Sequence, residues 1–261
     1  MGDRPFAGRA VLVTGGCRGV GRGIAARFLA AGADVAVCCR HRPDRLPSVD
    51  GREALFLEGD VRDPDQVAAV VAAVVERFGR LDVVVNNAGG SPPADAATAS
   101  PRFSTSIVAL NLLAPLHVAQ AANAVMQEQD EGGAIVNIGS VSGLRPSPGT
   151  AAYGAAKAGL VNLTATLAVE WAPKVRVNCV SAGMVRTESS DLHYGDEAGV
   201  AAVAATVPLG RLAEPDDVAG ACLFLASPAA SYVSGANLVL HGGGERPAFL
   251  DAAEAAEGRQ S

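Results

Sequence analysis

The chain has 261 residues, of which 49% are hydrophobic and 18% charged, with a formal net charge of -6. That length and composition suit one α/β domain that buries its own core without metal or disulfide staples. The acidic balance argues against a nucleic-acid partner, the opening residues lack a signal peptide, and no apolar run approaches the roughly 18 residues of a membrane span. A cytoplasmic protein with no membrane partner is expected. The five cysteines (Cys17, Cys38, Cys39, Cys179, Cys222) form no CxxC and no Cys/His cluster of zinc spacing, so reduced thiols and no metal are expected. Cys38 and Cys39 are neighbours in an apparent strand and should point to opposite faces.

Short β-branched runs alternate with longer alanine-rich segments along the chain. The predicted strands are Ala10–Thr14, Asp34–Cys39, Ala54–Glu58, Asp82–Asn86, Ala134–Gly139, Val175–Val180 and Asn237–Leu240. Most are continuous Val/Ile/Leu, as strands buried on both faces should be. The predicted helices are Gly19–Ala31, Pro64–Phe78 capped by Asp63, roughly Ser104–Met126, Ala151–Trp171, and a last one opening at Glu214 or Pro215. The segment His41–Gly51 carries Pro43 and Pro47 and reads as a loop or single turn in place of a helix. This alternation predicts a doubly wound α/β domain, a parallel sheet of about seven strands with helices on both faces. The tail 245–261 reads as a short helix or a frayed end.

The first strand runs into Thr14-Gly-Gly-Cys-Arg-Gly-Val-Gly21, with Gly15, Gly19 and Gly21 spaced GxxxGxG. Glycines at a strand-to-helix turn let a ligand approach the backbone, and the helix start offers N–H groups to a pyrophosphate. Cys17 and Val20 lie within the same turn. The second strand ends Cys38-Cys39-Arg40, with no carboxylate where a dinucleotide site usually holds the ribose hydroxyls. Arg40 and Arg18 are either two surface arginines or a planar grip on a 2′-phosphate. NADP(H) is expected over NAD(H), with NAD(H) possible.

Tyr153 and Lys157 lie four apart in an alanine-rich run, and they come from a chain with only three tyrosines and two lysines. Residues at that spacing share a helix face. An ammonium beside a phenol favours the phenolate and makes the group a usable proton donor or acceptor. Alone the pair is better explained by a solvated helix face. Ser140, however, follows the strand AIVNIG, Asn86-Asn-Ala-Gly89 ends the preceding strand, and Asn111 lies in the helix between them. All stand near carboxyl ends of strands, where such sheets bind ligands.

Over residues 6 to 244 the sequence resembles the short-chain dehydrogenase/reductase family, some members of which reduce 3-oxoacyl thioesters. TGGCRGVG is similar to its TGxxxGxG cofactor loop, and Asn86–Gly89 to its NNAG. Asp60 and Val61 are similar to the pair bordering the adenine, and Ser140, Tyr153, Lys157 and Asn111 to the catalytic tetrad. The resemblance implies a Rossmann-type fold and a nicotinamide cofactor held also by Asn87, Ala88, Gly89, Gly183, Val185 and Thr187. It implies Tyr153 as general acid/base and Ser140 as the donor that orients the substrate oxygen. Lys157 would bind the nicotinamide ribose, and Asn111 would hold a water. The partner is a small carbonyl or alcohol, and a homodimer or homotetramer is implied. Ala182-Gly183 stands where the family often has Pro-Gly, and His241 where it usually has Asp; His241 reads as a packing or interface residue.

Two segments are candidate substrate walls, Gly90–Arg102 and a possible lid over 188–207 with His193 and Tyr194, with Leu144 and Met184 as apolar lining. The alternatives are an NAD-linked alcohol or sugar dehydrogenase, and a regulator that binds a dinucleotide without turnover.

Overall fold

The computed structural model describes residues 4–188, 190, 195–245 and 249–250. The first apolar run forms β1 (Ala10–Thr14), buried along its whole length. Val11 and Val13 face one core cluster and Leu12 the other, so a continuous apolar run serves both faces. The other strands are β2 (Asp34–Cys39), β3 (Ser48–Val49), β4 (Arg52–Glu53), β5 (Leu55–Glu58), β6 (Val83–Asn86), β7 (Gly133–Ser140), β8 (Val175–Ala182) and β9 (Asn237–Leu240). Seven of them form one sheet in the order β5-β2-β1-β6-β7-β8-β9, and every pair in it is parallel. The order reverses between β1 and β6, and such a switch point opens a crevice outside the carboxyl ends of the strands.

The helices are α1 (Gly19–Ala30), α2 (Pro64–Phe78), α3 (Pro101–Val108), α4 (Ala114–Glu128), α5 (Ala151–Glu170), α6 (Glu197–Ala205) and α7 (Pro215–Ala226). Ile24 and Phe28 of α1 and Val218 and Cys222 of α7 cover one face of the sheet. Val70 and Val74 of α2, Val118 and Met126 of α4, and Leu167 of α5 cover the other. The result is the expected single α/β domain with helices on both faces.

Four expectations need correction. The helix predicted at Ser104–Met126 begins at Pro101, because the Ser100 hydroxyl accepts the Phe103 N–H at 3.1 Å. It also passes through a π-helical turn, Ala109–Leu113. Pro115 has no N–H, so the carbonyl of Asn111 loses its α-helical partner there. The span 101–128 is long and apolar enough, by length and composition, to cross a membrane. Its polar residues break the continuous run that the sequence reading sought, while Val118, Ala119, Ala122 and Met126 are buried in the core. The segment after β2 contains no helix, as expected, but closes into the hairpin β3–β4 around Asp50 and Gly51, both with positive φ. Finally, Cys17 and Cys39 form a disulfide with their Cα atoms 6.5 Å apart. Cys38 is buried while Cys39 turns the other way, towards the loop that follows the neighbouring strand β1. A separation of 22 residues hid that proximity in the sequence. His193, Tyr194 and most of the tail 245–261 lie outside the described residues.

Opposite the crevice, Asp82 leads into β6 and is only 5% exposed. Its carboxylate accepts from Arg9, from Arg80 and, at 2.8 Å, from the Ala10 backbone N–H. Removing it orphans the buried Ala10 N–H and leaves Arg9 and Arg80 with Glu131 as their remaining partner. Asp82→Ala should cost about 2–3 kcal/mol of stability, measured by urea unfolding. A loss under about 0.5 kcal/mol, the range of ordinary surface substitutions, would contradict this account.

Candidate active site

The glycine loop turns β1 into α1, with Gly15 and Gly19 at φ 63° and 50°. A Cβ at Gly21 would collide with the Gly15 carbonyl and the Asn87 side chain. The loop is laced to the end of β6 across the switch point. Thr14 Oγ1 accepts the N–H groups of Asn87 and Ala88, both at 3.0 Å. Asn87 Nδ2 donates to the carbonyls of Thr14 at 3.0 Å and Gly15 at 3.2 Å. At the start of α1 the Gly19 N–H donates to the Glu188 carboxylate at 2.8 Å. A carboxylate on the first N–H of the helix shows that this helix start accepts an anion.

Thr187 lies against Gly19, its Cγ2 3.5 Å from where a Cβ there would be. Its N–H donates to Ser190 Oγ at 2.8 Å. Gly183 is held by its N–H to the Leu240 carbonyl, and Val185 bridges to Ala213. Asp60 and Val61 follow β5 at the same end of the sheet. The Arg62 guanidinium grips Asp60 at 2.9 Å and holds its carboxyl below the usual carboxylate range, with Arg40 adding a smaller pull. Arg18 and Arg40 are exposed, and they flank the disulfide partners Cys17 and Cys39 in the chain.

Two residues of the implied tetrad, Asn111 and Lys157, meet at Gly89. A Cβ there would lie 2.7 Å from Asn111 Oδ1 and 3.4 Å from Lys157 Nζ. Lys157 is 3% exposed. Its Nζ donates to the Ile138 carbonyl at 2.7 Å and lies 5.7 Å from the Tyr153 ring centroid. Burial pushes this ammonium down to about 8, with the neighbouring Cys179 opposing more weakly, so the lysine stays charged at neutral pH. The turn after β7 packs directly on α5: a Cβ at Gly154, next to Tyr153, would lie 2.7 Å from the Ser142 carbonyl. Ser140 Oγ accepts the Ser142 N–H at 3.1 Å, which leaves its proton to donate elsewhere. The Asn111 side chain is spent on structure. It accepts from the Gly90 N–H and donates to the Gly90 and Ile107 carbonyls, all at 2.9 Å.

Several contributors were not singled out in the sequence, among them Asn137 and Thr164, which join Asn86. Asn86 Nδ2 donates to Asn137 Oδ1 at 2.9 Å, Asn137 to Thr164 Oγ1 at 2.9 Å, and Thr164 to the Leu160 carbonyl at 2.8 Å. This buried polar chain fixes α5 against β6 and β7. Asparagines inside predicted apolar strands were its sequence signal. Glu188 was read only as the first residue of the possible lid, and Arg145, paired with Glu245, was not read at all. Met184 packs on Val200 and Val207 of the predicted lid and on Leu212 beyond it, whereas Leu144 is 45% exposed. His241 abuts Gly183, as a packing residue does.

A family model described as enoyl-(acyl carrier protein) reductase matches residues 15–245. An uncharacterised short-chain type dehydrogenase/reductase of Sinorhizobium fredii is 41% identical over 93% of this chain, and the chain spans only 45% of that protein. A 3-oxoacyl-(acyl-carrier-protein) reductase of Chlamydia muridarum is 36% identical, covering 90% of this chain and 96% of its own. The ligand-free structure of Thermoplasma acidophilum aldohexose dehydrogenase superposes with a TM-score of 0.85 at 29% identity, covering 92% of this chain and 95% of that one.

A lysine whose folded-state value is depressed binds fewer protons than the unfolded chain between pH 8 and its ordinary value near 10.4, so its penalty is full below pH 8 and fades above it. The stability of the wild type relative to Lys157→Met should therefore rise by about 2–3 kcal/mol from pH 7 to pH 10. Urea titrations of both proteins at the two pH values measure it, and a constant difference would refute the buried ammonium.

Proposed function

Because the chain belongs to the short-chain dehydrogenase/reductase family, whose named relatives are oxidoreductases, we propose that it transfers hydride between NADP(H) and a ketone or secondary alcohol, with Tyr153 as the acid/base. One observation carries this reading: a buried, charged Lys157 beside Tyr153, against the Ser140 turn, where β6 and β7 end next to the glycine loop. The nicotinamide supplies or takes the hydride when bound.

The loop fits that cofactor, as the carboxylate on Gly19 indicates. Gly15, Cys17, Arg18, Gly19, Val20 and Gly21 would hold the pyrophosphate and adenosine ribose, with Arg40 at the 2′ position. Asp60 and Val61 would border the adenine. Asn87, Ala88, Gly89, Gly183, Val185 and Thr187 would take the nicotinamide half, and Tyr153 and Lys157 its ribose.

Tyr153 gives its proton to the carbonyl oxygen in reduction and removes it from the alcohol in oxidation. The Lys157 ammonium stabilises the phenolate left behind. Ser140, with its lone pair engaged by Ser142, donates to the same oxygen and orients it. The Asn111 side chain is pinned to Gly90, so its part in returning the proton falls to the backbone carbonyl that Pro115 leaves without an α-helical donor. That carbonyl would hold the water which the resemblance assigns to Asn111.

The substrate is a small molecule whose class the relatives' names do not narrow, since they include an acyl-thioester reductase and a sugar dehydrogenase. Assembly into a homodimer or homotetramer is supported by exposed apolar side chains in two places. Leu113 immediately precedes α4 and Val169 lies in α5, while Phe224, Leu238 and Val239 lie on α7 and β9.

Tyr153→Phe should lower kcat by at least about a hundredfold, the ordinary worth of a general acid, while the dissociation constant for NADPH stays nearly unchanged. Turnover by the variant would overturn the assigned role. NADPH should bind at least about tenfold more tightly than NADH, and Arg40→Ala should lose most of that difference, the worth of one charge-assisted contact. Equal constants for the two cofactors would refute the 2′-phosphate grip.

A further inference from the structure

The Cys17–Cys39 pair sits on the edge of the crevice that the reading above gives to the adenosine ribose. Cys17 belongs to the glycine loop, two residues before α1 starts at Gly19. Cys39 is the last residue of β2, where a dinucleotide site meets its ribose hydroxyls. Both are half-buried, whereas the three free cysteines are fully buried. Burial also raises those three thiols, Cys38 to about 11, which makes them poor nucleophiles. Arg18 and Arg40 adjoin the two partners in the chain, and the start of α1 follows Cys17, so positive charge stands beside this half-buried pair.

We propose that Cys17 and Cys39 form a site of reversible thiol–disulfide exchange with small disulfides of the glutathione class, and that the disulfide closes the ribose edge of the cofactor crevice. The step balances without further reagents. One cysteine thiolate attacks a sulfur of RSSR, releasing RS⁻ and forming a mixed disulfide. The second cysteine displaces the remaining RS⁻, so two protein thiols are oxidised and one small disulfide is reduced to two thiols. The bridge ties the glycine loop to the end of β2 and fills the gap between them. It also fixes the two arginines at one separation. In the dithiol form both side chains withdraw from the gap. Exchange and cofactor binding are then linked, and each must shift the other by the same factor.

This inference rests on the cofactor reading, and one experiment separates the two. The full chain is equilibrated in glutathione buffers of graded ratio, then alkylated with N-ethylmaleimide under denaturing conditions and weighed intact. The NADPH dissociation constant is measured on the same samples. Two alkylation sites should disappear together on oxidation, without a retained glutathione adduct, and Cys17→Ser/Cys39→Ser should keep its three sites throughout. The NADPH constant of the wild type should rise by at least about fivefold on oxidation, and that of the double serine variant should stay level. Saturating NADPH should move the wild-type midpoint towards the dithiol by the same factor. A bridge that forms with no change in the NADPH constant overturns the inference alone. A persistent mixed disulfide at one cysteine, with no bridge, overturns it as well. Failure of both redox forms and of the serine variant to bind either NADPH or NADH overturns the cofactor reading and the linkage with it.

Discussion

A charged amine with 3% exposure is the costliest group in this chain, and much of the structure around it exists to hold it. Lys157 has one fixed carbonyl acceptor, Ile138, which is two residues from the end of β7. That bond demands that α5 lie at one height over the sheet. Small residues permit it: Gly154 lets the Ser142 carbonyl come close, where any larger residue would push the turn away. The same packing places Tyr153 and Ser140 on one side of the crevice. The geometry of the Tyr153–Lys157 pair therefore follows from the need to satisfy one buried cation.

The polar chain through Asn86, Asn137 and Thr164 serves the same end from deeper in the core. Asparagine and threonine inside strands and helices that are otherwise apolar lower stability unless each finds a partner. Here each finds one on a different element, although Asn86 Oδ1 is left without one, so the bonds form together only when β6, β7 and α5 are in register. An apolar core could slide by a fraction of a residue at small cost, whereas this one cannot. Specific register at the carboxyl ends of β6 and β7 is what a site built from Gly89, Ser140 and Lys157 requires.

Much of this was legible in the residues because it is local or periodic. The strands were read from continuous apolar runs, and the loop from glycines between a strand and a helix. The Tyr153–Lys157 pair was read from helical spacing, and those readings match the structure to within a residue or two. What escaped depends on contacts between segments distant in the chain. Cys17 meets Cys39 only because β1 and β2 are neighbours in the sheet. Glu188 reaches Gly19 across 169 residues. The break in the long helix escaped for a different reason: Pro115 announces a missing donor, but only the π-helical turn shows where the chain absorbs it.

The contact of Glu188 with Gly19 has a physical consequence for the segment that carries it. The first N–H groups of α1 have no partners within the helix and favour negative charge. In this structure one of them is taken by a carboxylate from the stretch that also presents Val185 and Thr187. A single N–H cannot serve a side-chain carboxylate and a second anion at full strength. Any anion bound at the start of α1 therefore releases Glu188, and with it the tie between the glycine loop and the chain leading to α6. The anion-accepting start of α1 and the chain that carries Glu188 thus share one hydrogen-bond donor, and an anion on the first loosens the second.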